Sequence, residues 1–156
     1  MRLLNTLDEA IALEEKILSC YELLRKMTAD GLAEELRKLA REEKSHINVL
    51  KTGKNYIVQA PDLFGKETIS DVEIRLGIKA ASGLEECLET RTTDFRQSLK
   101  RLYGLEKKFE KIHMNTAVEF KDFSLKKLFE ALARADAEHR QRLERLMATL
   151  EDSVSP

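Results

Sequence analysis

The sequence predicts an all-α domain, a four-helix bundle of two antiparallel helical hairpins joined by a long crossover that contains an extra helix. Three observations carry this. Apolar residues recur in steps of three and four along four segments, the mark of a helix with one buried face. The 156 residues include only two prolines and six glycines, and 35% are charged, a composition that favours helix. Two of the connections are short turns, which force neighbouring helices to be antiparallel, and one is long.

Helix one is expected over about 6–27, with Asn5 or Thr6 as its N-cap. Its stripe is Leu7, Ile11, Glu14, Leu18 and Tyr21, flanked by Ala10, Ile17 and Leu24. Ala29-Asp30-Gly31 forms a turn, with Asp30 placed to cap helix two. Helix two is expected over about 31–53, with the stripe Leu32, Leu36, Leu39, Glu43, His46, Leu50 and with Gly53 as a left-handed C-cap. Residues 54–93 are the crossover. It opens on a loop from Asn55 to Pro61, followed by a helix that Ser70 and Glu73 would cap and that carries Val72, Leu76, Ala80 and Leu84. Gly77 and Gly83 weaken that helix. Asp94, three residues before Gln97, caps helix three, expected over about 94–119 with the stripe Leu99, Leu102, Glu106, Phe109, His113, Ala117, Phe120. Lys121 to Ser124 is the second short turn. Helix four is expected over about 124–151, on Leu125, Phe129, Leu132, Asp136, His139, Leu143, Leu146 and Leu150, before a frayed tail from Asp152 to Pro156. All of 1–156 reads as a single domain.

The bulk numbers exclude several classes. A net charge of −1 gives no electrostatic attraction for nucleic acid or an anionic membrane. No apolar run approaches the length of a membrane span, and Met1–Ala12 holds no signal-peptide apolar block. Cys20 and Cys87 are far apart and form no Cys-x-x-Cys, so reduced thiols and a cytoplasmic location are expected.

The informative residues are the polar ones inside the stripes. Glu43 and His46, and again Asp136 and His139, are three residues apart and share one helix face. Glu14 and Glu106 interrupt the other two stripes. Only Glu14, and not its neighbour Glu15, holds the stripe; by the same test Glu42 and Glu138 are solvent charges. The hairpins also repeat. Setting Leu7 on Leu99 brings Glu14 onto Glu106, Lys16 onto Lys108 and Tyr21 onto His113. Setting Leu32 on Leu125 brings Glu43 onto Asp136 and His46 onto His139 with one further step. Four buried carboxylates with no Lys or Arg on the stripes need compensation, and two divalent cations balance their charge. Carboxylate and imidazole donors without thiolate suit iron or manganese better than structural zinc.

The stretches Ala10-Ile11-Ala12-Leu13-Glu14…Tyr21 and Leu36…Leu39-Ala40…Glu43-Lys44-Ser45-His46 resemble the first half of the ferritin-like, rubrerythrin-type di-iron carboxylate proteins. Leu99…Glu106…His113 and Leu128-Phe129…Leu132-Ala133…Asp136-Ala137-Glu138-His139 resemble the second half. The resemblance covers the four helices and leaves 54–93 weakly matched. It implies two iron (or manganese) ions bridged by Glu43 and Asp136, with Glu14 and His46 completing one site and Glu106 and His139 the other. It also implies a di-iron or di-manganese oxidoreductase or peroxidase, with dioxygen or hydrogen peroxide as reactant, an electron-donor protein as partner, and a homodimer left open. Tyr21 and His113 are then supports that hydrogen-bond to ligands, with direct ligation the second reading for His113.

Three features depart from the family pattern. Asp136 stands where Glu is usual, drawing its carboxylate back by roughly 1.3–1.5 Å. His113 occupies the slot that matches Tyr21. Phe109, followed by Glu110, fills the place of a further acid; a rubrerythrin without its cysteine-ligated iron module is therefore the expected match. Two other classes stay open: an iron-handling protein without organic substrate, and a metal-free helical interaction domain.

Overall fold

A computed structural model describes residues 2–64 and 71–154. The chain is all-helical, with no strand among the described residues. Its elements are α1 (Arg2–Lys26), α2 (Asp30–Gln59), α3 (Pro61–Phe64), α4 (Val72–Thr90), α5 (Phe95–Glu119) and α6 (Phe123–Val154). None of these is long and apolar enough to cross a membrane.

The ion pairs show how the helices run. Lys54 meets Asp8 at 2.6 Å and Lys44 approaches Glu22, so α1 and α2 are antiparallel. Arg96 donates to the Leu150 carbonyl at 2.9 Å and Tyr103 to Glu144 at 2.9 Å, so α5 and α6 are antiparallel as well. α4 lies along α1 in the same direction, with Arg75 on Glu9 at 3.0 Å and Lys16 on Glu85 at 2.8 Å. The crossover thus carries the chain back along the bundle, and α4 packs against both α1 and α5. The two hairpins meet through α2 and α6.

The expected stripes are buried except at Leu18, Leu32 and Leu150, which are half-buried at their edges. Leu7, Ile17, Tyr21, Leu36, Leu50, Leu99, Phe109, Phe129 and Leu143 lie in one continuous core. Asp94 caps α5 as expected, accepting from Gln97 N at 2.8 Å, and Asp122 does the same for α6 through Leu125 N at 3.0 Å.

Several boundaries differ from expectation. α1 starts at Arg2, so neither Asn5 nor Thr6 is a cap; Leu3 is buried one turn before Leu7 and extends the stripe. Ala29, not Asp30, holds the N-cap position of α2, with no side-chain cap bond. α6 continues to Val154, beyond the expected end near Glu151. Ser70 lies outside the described residues; Asp71 occupies the N-cap position of α4 and makes no side-chain cap bond.

Gly53 is not a terminator. α2 passes through it to Gln59, and the expected loop from Asn55 is helical, with Ile57 buried in step with Leu50. Gly53 is where α6 comes close: a Cβ there would sit 2.9 Å from the Leu128 Cδ1 methyl. The crossover helix is also turned relative to its expected face. Ile74, Gly77, Ala81, Leu84 and Leu88 are buried, whereas Val72 and Leu76 are 60% and 47% exposed. Gly77 fits against the core, where a Cβ would lie 2.8 Å from Phe109 Cε1 and 3.4 Å from Leu13.

These two glycines should respond differently to alanine. At Gly77 the obstacle is the edge of a fully buried ring, and overpacking of this kind costs about 1–3 kcal/mol. That exceeds the gain of about 1 kcal/mol from better helix propensity. At Gly53 the obstacle is a methyl at the end of a half-buried side chain that can turn away. Urea unfolding should show Gly77→Ala less stable than wild type and Gly53→Ala equal or more stable.

Candidate metal centre

Each hairpin brings two polar positions to the same level, because Glu14 and Glu43 lie at similar distances along the chain from the first turn, and Glu106 and Asp136 from the second. The outcome is a polar island inside an apolar core. Glu14, Glu43, His46, Glu106, His113, Asp136 and His139 are all buried, with Glu43 at 0% exposure. Glu15 and Glu138 are exposed, as the stripes require.

Two groups of three stand out. Glu43, His46 and His139 present donor atoms that all lie within 4.8 Å of one another, and so do Glu14, His113 and Asp136. The His46 and His139 rings stack at 4.9 Å. This grouping differs from the one the family pattern implies, since His46 falls beside His139 rather than with Glu14. Glu106 lies between, 3.5 Å from His139 Nδ1, and accepts a 2.8 Å hydrogen bond from the Tyr21 hydroxyl. Tyr21 is therefore a support to the Glu106 carboxylate. His113 Nδ1 makes a short contact with Asp136 Oδ2, and its Nε2 faces Glu14 Oε1 at 3.7 Å.

Glu42 is not a free solvent charge. Its Oε2 is 2.6 Å from His139 Nε2, and its Oε1 makes a short contact with Arg142. The Glu42 side chain is 35% exposed, so it links the buried centre to the surface along the seam of α2 and α6. No stripe signal marks it, because it flanks Glu43 and takes its partners from another helix.

Proximity here is not hydrogen bonding. His139 Nδ1 is 3.0 Å from Glu43 Oε1 and its Nε2 is near Glu42, yet neither nitrogen has a partner at hydrogen-bond geometry. Both Glu43 oxygens, Glu14 Oε1, Glu106 Oε2, Asp136 Oδ1 and His46 Nδ1 also lack one. Buried polar atoms in native proteins are nearly always paired, so this many orphans at one point mark a place for a ligand or for added protons. They are all electron-pair donors when deprotonated, and they fit cations.

Without cations, protons must fill that role. Burial pushes the Glu14 carboxyl well above its ordinary value, and Glu43 adds to it. Burial, then Glu106, raises Glu43 to about 7. Burial raises Asp136 to about 7 against the pull of His113. For His113 burial disfavours the charge, but Asp136 and Glu14 outweigh it and lift the group to about 9. For His139 burial is likewise outweighed, by Glu106 and Glu43, which raise it to about 11. For His46 burial wins: Glu14 pulls the other way, but the group is lowered. On each of these groups a proton competes with metal for the same lone pair.

Tyr21→Phe tests the support to Glu106. It removes the one hydrogen bond to a carboxylate whose other oxygen is already orphaned, a loss of about 1.5–3 kcal/mol for a bond to a charged group. Urea unfolding of the metal-free protein should register it in full, and a divalent cation on Glu106 should reduce it.

No protein-family profile, no curated protein and no solved structure matches this chain.

Proposed function

We propose that this chain is a ferritin-like dinuclear non-haem metal protein that holds two iron or manganese ions and uses them to reduce dioxygen or hydrogen peroxide. The observation that carries the reading is the island of orphaned carboxylate and imidazole atoms, with two candidate ligand groups side by side in an apolar core. Glu14, Glu43, His46, Glu106, Asp136 and His139 would hold the ions. The acid-x-x-His pairs on α2 and α6, with single acids on α1 and α5, are the donor set of di-iron and di-manganese bundles.

Iron or manganese bound there would supply one-electron redox chemistry and Lewis acidity. The chain's own contributions are separable. The surrounding leucines and phenylalanines keep bulk water away from the centre. Tyr21 orients Glu106 and offers a proton at its hydroxyl. Glu42, with one oxygen at His139 and one at Arg142, gives a path for protons or ions between surface and centre. Reduction of an oxidant needs electrons, so an electron-donor protein is the expected partner. Two unpaired thiols, Cys20 and Cys87, suit a reducing cytoplasm.

Anaerobic loading with Fe(II), followed by rapid mixing with hydrogen peroxide or dioxygen, tests the activity. Oxidant consumption faster than by free Fe(II), and lost in Glu43→Ala, is the expected result. Stoichiometric metal binding with no consumption of either oxidant would leave the metal site and remove the oxidoreductase.

A further inference from the structure

We infer that His113 is itself a metal ligand through Nε2, so that the second ion is held by Glu14 and His113, with Asp136 fixing the imidazole from Nδ1 rather than ligating that ion. This rests on the dinuclear reading and adds a ligand on α5 that the repeated acid-x-x-His pattern does not contain.

The geometry around the ring supports it. Asp136 Oδ2 contacts Nδ1, which holds the proton on that nitrogen and leaves the lone pair on Nε2. Nε2 faces Glu14 Oε1 at 3.7 Å, too far for a hydrogen bond. Two donors at about 2.0–2.2 Å from one ion lie roughly 3–4.4 Å apart, so the gap suits a shared cation. Glu14 Oε1 is buried and without a hydrogen-bond partner, which leaves it for the ion at Nε2. His113 is 3% exposed, and the Phe129 ring packs on it at 5.9 Å, which limits its rotation.

The shorter side chain at Asp136 gains a reason. Its carboxylate is drawn back from the centre by one methylene, and the space between it and Glu14 is where the His113 ring sits. A carboxylate on the far nitrogen of a ligating histidine is the usual way a protein sets tautomer and orientation. The rival arrangement is a plain ion pair between a doubly protonated His113 and Asp136, with no metal contact.

Nitrogen NMR of the full chain separates the two. The protein has three histidines, so each ring can be assigned through single His→Gln variants. Zn(II) alone serves as a diamagnetic probe, two equivalents being added to the uniformly nitrogen-15-labelled protein. The expected result is a His113 ring with a protonated Nδ1 and an Nε2 shifted to the metal-bound range. His113→Gln should reduce bound Zn(II) from two per chain to one while helicity is unchanged. If His46 and His139 shift but both His113 nitrogens stay protonated, His113 is not a ligand and the dinuclear reading survives without it. If no histidine responds, both fall.

Discussion

Glu43→Leu is expected to stabilise the metal-free bundle and to abolish its response to metal. Glu43 is fully buried, with both oxygens unpartnered. Leucine has similar volume and no charge to desolvate, a buried polar group left unpaired costs about 1–3 kcal/mol, and Glu106 remains beside His139 to balance its charge. The wild type should gain from metal instead: free ion at about a thousand times its Kd adds about 4 kcal/mol, or roughly 8–16 °C in a chain of this size. Thermal unfolding with and without Mn(II) reads both effects. A variant that melts below the metal-free wild type yet still rises with Mn(II) would show that Glu43 is structural and not a ligand. A metal-free helical interaction domain would share the stabilisation by leucine but would show no metal response in the wild type.

The second large effect is a reversal in pH dependence. In the metal-free protein Glu43 and Asp136 rise from ordinary values of 4.5 and 3.8 to about 7, and His113 and His139 rise from 6.5 to about 9 and about 11. Between those limits the folded chain holds protons that the unfolded chain has released. Stability must therefore fall as pH rises, through about 4–7 for the carboxylates and about 6.5–11 for the imidazoles. His46 and Glu106, both lowered, oppose this but are outnumbered. The metal-loaded protein should do the opposite, because cations bind the deprotonated ligands and bind better as pH rises. Urea unfolding at about pH 5, 6.5 and 8, with and without Mn(II), should give stability curves of opposite slope. Metal-free stability that climbs from pH 5 to pH 8 would mean the centre does not hold protons as its burial and charges require.

Much of this was legible in the sequence because it is periodic. Each stripe repeats often enough to fix its face, and an acid in mid-stripe can only point inward, which is why Glu14 separates from Glu15 without a structure. What was hidden depends on contacts between helices. Gly53 looks like a stop when judged by local conformational preference, but its lack of a side chain serves the approach of Leu128. Ile57 continued the stripe beyond it and was the available signal. In α4 the buried face includes Gly77, and a glycine on the inner face empties the very pattern used to find that face. The visible alternative, Val72 and Leu76, lies outward. Glu42 and His113 were underread for the same reason. The partners that define them, His139 with Arg142 and Asp136 with Glu14, sit on other helices.

The most direct test is a metal count. The pure protein, prepared without chelator or tag-derived metal and loaded anaerobically with Fe(II) or Mn(II), would be analysed by plasma mass spectrometry beside a Glu43→Ala, Asp136→Ala double variant. Two ions per chain in the wild type, lost in the variant with helicity retained, is the expected result. A wild type that binds neither metal would contradict the dinuclear centre and leave the buried acids and imidazoles as a proton-balanced core.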